Sequence, residues 1–113
     1  MRGLFRVLLH GYYRLRGVDP QPVIATLWLG EEQACQAMHA RIRELIPGYE
    51  HVVVRPGNAE SAPAELIRAL RGRRVGTIAA LPEGWAAALR MAPLRTMAFN
   101  RHGENWFIDW RKP

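Results

Sequence analysis

The chain has 113 residues, is 49% hydrophobic and 23% charged, and carries a formal charge of +6. That balance excludes wholesale disorder, and a single domain of this size removes roughly 65% of its unfolded surface from water, enough for a core of its own. The one cysteine, Cys35, excludes an internal disulfide and fits a reducing compartment, and no run of apolar residues is long enough for a membrane-spanning helix.

Residues 1–17 predict a basic amphipathic helix. Leu4, Leu8, Tyr12 and Leu15 form one stripe, widened by Phe5 and Leu9, while Arg2, Arg6, His10 and Arg14 recur on the opposite side. Gly3 and Gly11 weaken such a helix by about 1 kcal/mol each relative to alanine, so it needs a surface to lie on. Arg2, Phe5, Arg6, Leu9, Tyr12, Tyr13 and Arg14 are the candidate contacts, either with an anionic membrane interface or with a protein. Val7-Leu8-Leu9 is too short and too interrupted by charge for a secretory leader, so the expected location is cytoplasmic, peripheral at the inner face of the membrane where the helix meets lipid. Asp19-Pro20-Gln21-Pro22 makes residues 18–22 a stiff linker.

From residue 23 to 113 the pattern alternates. The continuous apolar run from Val23 to Leu29 suits a strand covered on both faces. Glu31 to Ile46 switch to helical period, with Ala34, Cys35, Met38, Ile42, Leu45 and Ile46 on one face and Pro47-Gly48 as the stop. His51 to Arg55 predict a second strand. Ser61 and Pro63 mark the start of a helix whose inner face is Leu66, Ile67 and Leu70, with Gly72 as its closing residue. Val75 to Leu81 predict a third strand, Trp85 to Ala92 a short helix, Leu94 to Phe99 a fourth strand, and Asn105 to Trp110 an antiparallel return. The order predicts a small three-layer α/β domain: about four parallel strands with an antiparallel edge strand and helices on the faces.

In such a sheet a ligand crevice lies beyond the carboxyl ends of the strands. The polar groups available there are Glu31, Glu32, Asn58, Glu83, Asn100 and His102, which equally suit caps and turns. No glycine-rich phosphate loop follows the first strand, and two glutamates at that position repel phosphate, which argues against a dinucleotide; no cofactor is expected. Glu31, Cys35 and His39 fall on one helical side but span about 12 Å, too far for one metal ion. Arg68, Arg71, Arg73 and Arg74 around Gly72 form a second basic group and a candidate polyanion patch, although the tryptophans fall in packing positions rather than among these arginines, so nucleic acid is disfavoured as a partner.

The stretch from Leu66 to Ala79, followed by Ala86 to Ala92 and Arg95 to Asn100, resembles part of the Rossmann-like domain of heptosyltransferase-type (GT-B) glycosyltransferases and Rossmann-like segments beside bacterial envelope glycosyltransferases. The resemblance lies in element order over residues 23–110. Where that family carries a Gly-Asp loop after the first strand this chain has Gly30-Glu31-Glu32, and the second, nucleotide-holding domain has no counterpart in these residues, so no catalytic role carries over. The resemblance implies a non-catalytic α/β module that docks to a membrane surface or to a partner glycosyltransferase. Two alternatives stand beside it: a small enzyme acting on a sugar or phosphorylated substrate with Glu31 or Glu83 as general base, and a polyanion-binding module. Whether Trp85 and Trp106 fill the crevice discriminates between them.

Overall fold

The computed structural model describes residues 22–92 and 95–109. The helix predicted over residues 1–17, most of the linker that follows it, and Trp110 lie outside these residues. The described elements run β1 (Val23–Leu27), α1 (Glu32–Leu45), β2 (His51–Val54), α2 (Ala62–Leu70), β3 (Val75–Ala80), a 3-10 turn at Pro82–Gly84, α3 (Trp85–Met91), β4 (Arg95–Phe99) and β5 (Asn105–Asp109).

The five strands form one mixed sheet in the order β2-β1-β3-β4-β5. β1 pairs parallel with β2 and β3, β3 pairs parallel with β4, and only β5 returns antiparallel, with Met97 opposite Phe107 and Ala98 opposite Trp106. The chain therefore winds outward from β1 in both directions. This order follows from the apolar runs: β1 is buried along its whole length and β3 along all but its first residue, as central strands covered on both sides must be.

Side-chain alternation assigns the two faces. Ile24, Ala79, Leu81, Met97 and Phe99 pack with Cys35, Met38 and Ile42 of α1. Val23, Ala25, Leu27, Val54, Ile78 and Ala80 pack instead with Ala62, Leu66 and Leu70 of α2 and Ala87 and Ala88 of α3. One helix thus covers one face and two cover the other. Phe99, Leu27, Ile42 and Ile78 are the bulkiest fully enclosed side chains, and burying each stabilises the fold by about 1.5–3 kcal/mol.

Two expected inner-face residues point outward. Ile67 is 71% exposed and Leu45 is 38% exposed. In α2 the buried positions are Ala62, Leu66 and Leu70, a strict four-residue stripe that leaves Ile67 off the contact line. Leu45 is the final residue of α1, one turn past the last position over the sheet, Ile42. The closing turn of α2 also differs in detail: Arg71, ahead of Gly72, is the first residue to take a left-handed backbone, with φ of 52°.

Candidate functional site

A sheet wound outward from β1 has its switch point between β1 and β3, where the loops after those strands diverge to opposite faces. The loop after β1 contains Gly30 and Glu31 and leads into Glu32, the first residue of α1; β3 is followed by Leu81 and the 3-10 turn Pro82–Gly84. These loops touch rather than part. Gly30 sits at φ of +127°, and a Cβ placed there would lie 3.1 Å from Leu81 Cδ1 and 3.2 Å from the Glu83 carboxyl. A Cβ on Gly84 would come within 3.1 Å of Leu27 Cδ2. Both glycines are needed because backbone and side chain close over the gap in which a ligand would lie.

The neighbouring stretch is closed too. Trp85 opens α3 and donates its indole N–H to Ala80 O at 3.0 Å, across the end of β3. Trp106 of β5 meets it edge to face, with ring centroids 5.6 Å apart. The pair covers the carboxyl ends of β3 and β4 on the α3 side.

Of the polar groups expected at the crevice, Glu32, Asn58, Glu83 and Asn100 have side-chain partners on neighbouring residues. Glu32 accepts a 2.8 Å bond from the Trp28 indole and pairs with Arg55 at 3.6 Å, while the Arg55 guanidinium lies 4.1 Å from the Trp28 ring centroid. Glu83 pairs with Arg101 at 3.7 Å. Asn100 Oδ1 accepts from the backbone N–H groups of His102 and Glu104, and its amide donates to Glu104 Oε1. Asn58 exchanges bonds with Ser61, its Oδ1 accepting from Ser61 N at 2.9 Å, so both residues build the turn that leads into α2. His102 is exposed at the tip of the β4–β5 turn. Glu31 precedes α1 and its backbone carbonyl accepts from Cys35 N. Glu31 and Glu32 stand at the positive end of α1, where their charge favours the helix dipole and disfavours an anion.

Two titratable groups lie beneath this surface, Cys35 fully buried and His39 partly so. His39 Nδ1 is 2.9 Å from Thr26 Oγ1, and burial, with Arg43 and His51 adding to it, holds the imidazole below its ordinary range, as the neutral form. Burial pushes the Cys35 thiol up to about 11, reinforced by Glu32, Glu83 and Glu31 and opposed by Arg55. That thiol is a core group rather than a nucleophile. Among the described residues no three His, Cys, Asp or Glu side chains converge to hold a metal ion.

Concavities remain open among the described residues, one of them at the carboxyl end of β4. A cleft of about 220 Å³ separates Ala34, Ala37, Met38 and Arg41 of α1 from Phe99 to Arg101 and Gly103, and of the expected crevice residues only Asn100 lines it. Another, about 530 Å³, runs along the outer edge of β2 between Val52–Arg55 and the α2 residues Glu65, Arg68 and Ala69, and extends to Arg71 and Arg73. Three of the four arginines read as a polyanion patch thus meet at one groove, and Arg74 does not line it. Arg73 has a structural task there: its guanidinium donates to Leu70 O at 2.7 Å and Ala69 O at 3.2 Å, closing α2, and it pairs with Glu50. Arg55 joins the patch unannounced by sequence, because its place depends on β2 being an edge strand.

Among the described residues no helix is long and apolar enough to cross a membrane. Comparison of the chain with protein-family models, with curated proteins and with solved structures finds no match.

Proposed function

We propose that this chain is a non-catalytic α/β module, Rossmann-like and related to the glycosyltransferase type, that works by docking rather than by turnover. The observation that carries this reading is the condition of the crevice: Gly30 packs on Leu81 and Glu83, and Glu32, Glu83 and Asn100 each satisfy a neighbour within the module. A general base needs a carboxylate open to substrate within hydrogen-bond reach. Glu83 packs against Gly30 and faces Arg101 across a solvated 3.7 Å pair, so the packed gap at Gly30, more than the ion pair, limits it as a base.

The docking element in this proposal is the segment 1–17, whose Arg2, Arg6 and Arg14 would meet anionic headgroups while Phe5, Leu9, Tyr12 and Tyr13 enter the interface. A partner glycosyltransferase is the alternative surface for the same segment. The test is co-sedimentation of the full chain with vesicles of phosphatidylcholine containing phosphatidylglycerol. Binding is expected, weakened by salt and lost in the triple variant Arg2→Glu/Arg6→Glu/Arg14→Glu; no co-sedimentation overturns the membrane half of the reading. Turnover of a sugar or phosphorylated substrate that disappears in Glu83→Gln or Glu31→Gln overturns the non-catalytic half.

A further inference from the structure

The groove beside β2 is built differently from the crevice. β2 ends the sheet, so among the described residues one side of it has no strand neighbour. Ile24 N donates to Glu50 O at 2.9 Å and Trp28 N to Val54 O at 2.8 Å, in a register that sets Ile24 opposite His51 and Thr26 opposite Val53. In a parallel ladder alternate residues of one strand serve one neighbour. Even-numbered residues of β2 therefore bond to β1, and the backbone N–H and C=O groups of His51, Val53 and Arg55 point outward. The edge is short and carries an arginine, two of the usual protections of an edge strand. It is nonetheless flanked by a concavity about 530 Å³ in volume rather than by a covering loop.

The charge of that concavity is one-sided. Arg55, Arg68, Arg71 and Arg73 line it against a single acid, Glu65. Arg73 is committed to the end of α2. Arg68 pairs with Glu65 at 3.3 Å and Arg55 with Glu32 at 3.6 Å; both arginines are largely exposed, where an ion pair contributes little and exchanges readily. Arg71 is exposed at the groove and has a left-handed backbone.

We propose that the β2 edge is a docking site for an extended acidic peptide segment of a partner protein, which adds a sixth strand beside β2. Main-chain bonds to His51, Val53 and Arg55 would supply affinity, and acidic side chains on the α2 side would meet Arg68 and Arg71. A strand backbone matches the outward N–H and C=O pattern at the 4.7–4.9 Å spacing of paired strands. A nucleic acid lacks that pattern, and the groove offers it no aromatic side chain for base stacking. A second copy of this chain would set the same arginines against one another, which disfavours self-pairing at this edge. The proposal does not depend on the segment 1–17.

The test uses the full chain and fluorescence anisotropy with four labelled probes: a heptapeptide alternating Val and Glu, the same peptide N-methylated at alternate amides, the Val–Lys counterpart, and a single-stranded oligonucleotide. The Val–Glu peptide is expected to bind, while the Val–Lys peptide does not. Arg68→Glu and Arg71→Glu should each weaken binding about ten-fold, and Val53→Pro should abolish it, because the lost N–H faces outward and the β1 ladder stays intact. N-methylation asks the same question from the ligand side and needs no variant to fold. Equal binding of the methylated and unmethylated peptides, or tighter binding of the oligonucleotide that survives Val53→Pro, overturns strand addition in favour of a plain polyanion patch. A concentration-dependent dimer that Val53→Pro dissolves overturns it in favour of self-pairing.

Discussion

The crevice at the carboxyl ends of the strands and the groove at the β2 edge reverse each other's expected roles. The crevice stands where an α/β sheet of this winding places its ligands, yet its loops meet at Gly30, Trp85 meets Trp106 edge to face, and Glu32 and Glu83 pair with neighbouring arginines. The groove stands where a sheet merely ends, yet it is open and lined by cations, with strand bonds directed outward. Position in a fold names where a site is geometrically convenient. Whether one exists there depends on which polar groups are left to meet something else.

The largest expected effect tests whether the crevice is as full as its contacts imply. Gly30→Val forces a β-branched residue to φ of +127° and drives its side chain against Leu81 and Glu83. Destabilisation by about 2–4 kcal/mol is expected from backbone strain and overpacking together, read from the urea midpoint. Val53→Pro, at the open edge, should shift the same midpoint by less than about 1 kcal/mol. Similar losses at both positions would break the contrast between a packed region and an open one.

How much of this was legible in sequence follows from range. Apolar runs and helical period predict every described strand and α-helix to within about two residues, since a buried strand or a one-sided helix is a local pattern; the 3-10 turn at Pro82–Gly84 carries no such pattern. Cys35 reads correctly as core, and Asn58, Asn100 and His102 occur as turn residues, one of the two roles their neighbours in sequence suggest. Closure of the crevice was not legible, because it depends on Gly30 meeting Glu83 across two loops far apart in the chain. Nor was the basic groove in full: Arg68 and Arg71 are visible as a cluster, but Arg55 joins them only once strand order puts β2 at the edge. Ile67 misleads for a simpler reason, since adjacent apolar residues on a helix lie about 100° apart and only Leu66 lies on the stripe.

Acid provides a test of the layer beneath the crevice. His39 is held neutral by burial, so the unfolded chain binds a proton there more readily than the folded one. Stability from this group is complete above the ordinary value of 6.5 and is lost as pH falls below it, through the lower folded value. The urea midpoint should therefore drop between pH 7.5 and 5, and the drop should shrink in His39→Gln; an unchanged slope would remove His39 from the account. At the alkaline end the sign reverses for Cys35: the unfolded thiol ionises first, near 9.0, while the folded thiol holds its proton to about 11, so stability declines between those values. Iodoacetamide should accordingly label Cys35 slowly in the native chain at pH 8 and rapidly in denaturant, and fast native labelling would mean that the α1 face opens.

Glu83→Gln addresses the rim of the crevice with a smaller effect. The pair with Arg101 is 3.7 Å long and mostly solvated, so its loss should change stability by less than about 1 kcal/mol. A larger loss would make the rim part of the packed region rather than its solvated border.

The smallest effect bears most directly on why the groove has the composition it does. Arg71 holds a left-handed backbone of φ 52° at the end of α2, a conformation that disfavours a side chain by about 1–2 kcal/mol and that glycine adopts freely. Part of that gain is offset by the extra freedom glycine has in the unfolded chain, about 0.4–1 kcal/mol. Arg71→Gly is therefore expected to raise the unfolding free energy by about 0.5–1 kcal/mol, measured by urea titration, while weakening the Val–Glu peptide as much as Arg71→Glu or slightly less. A residue that lowers stability where glycine would serve better is explained if its charge acts outside the fold. Were Arg71→Gly both more stable and unchanged in peptide affinity, the strain at this position would have no counterpart in binding, and the comparison would rest on Arg55 and Arg68 alone.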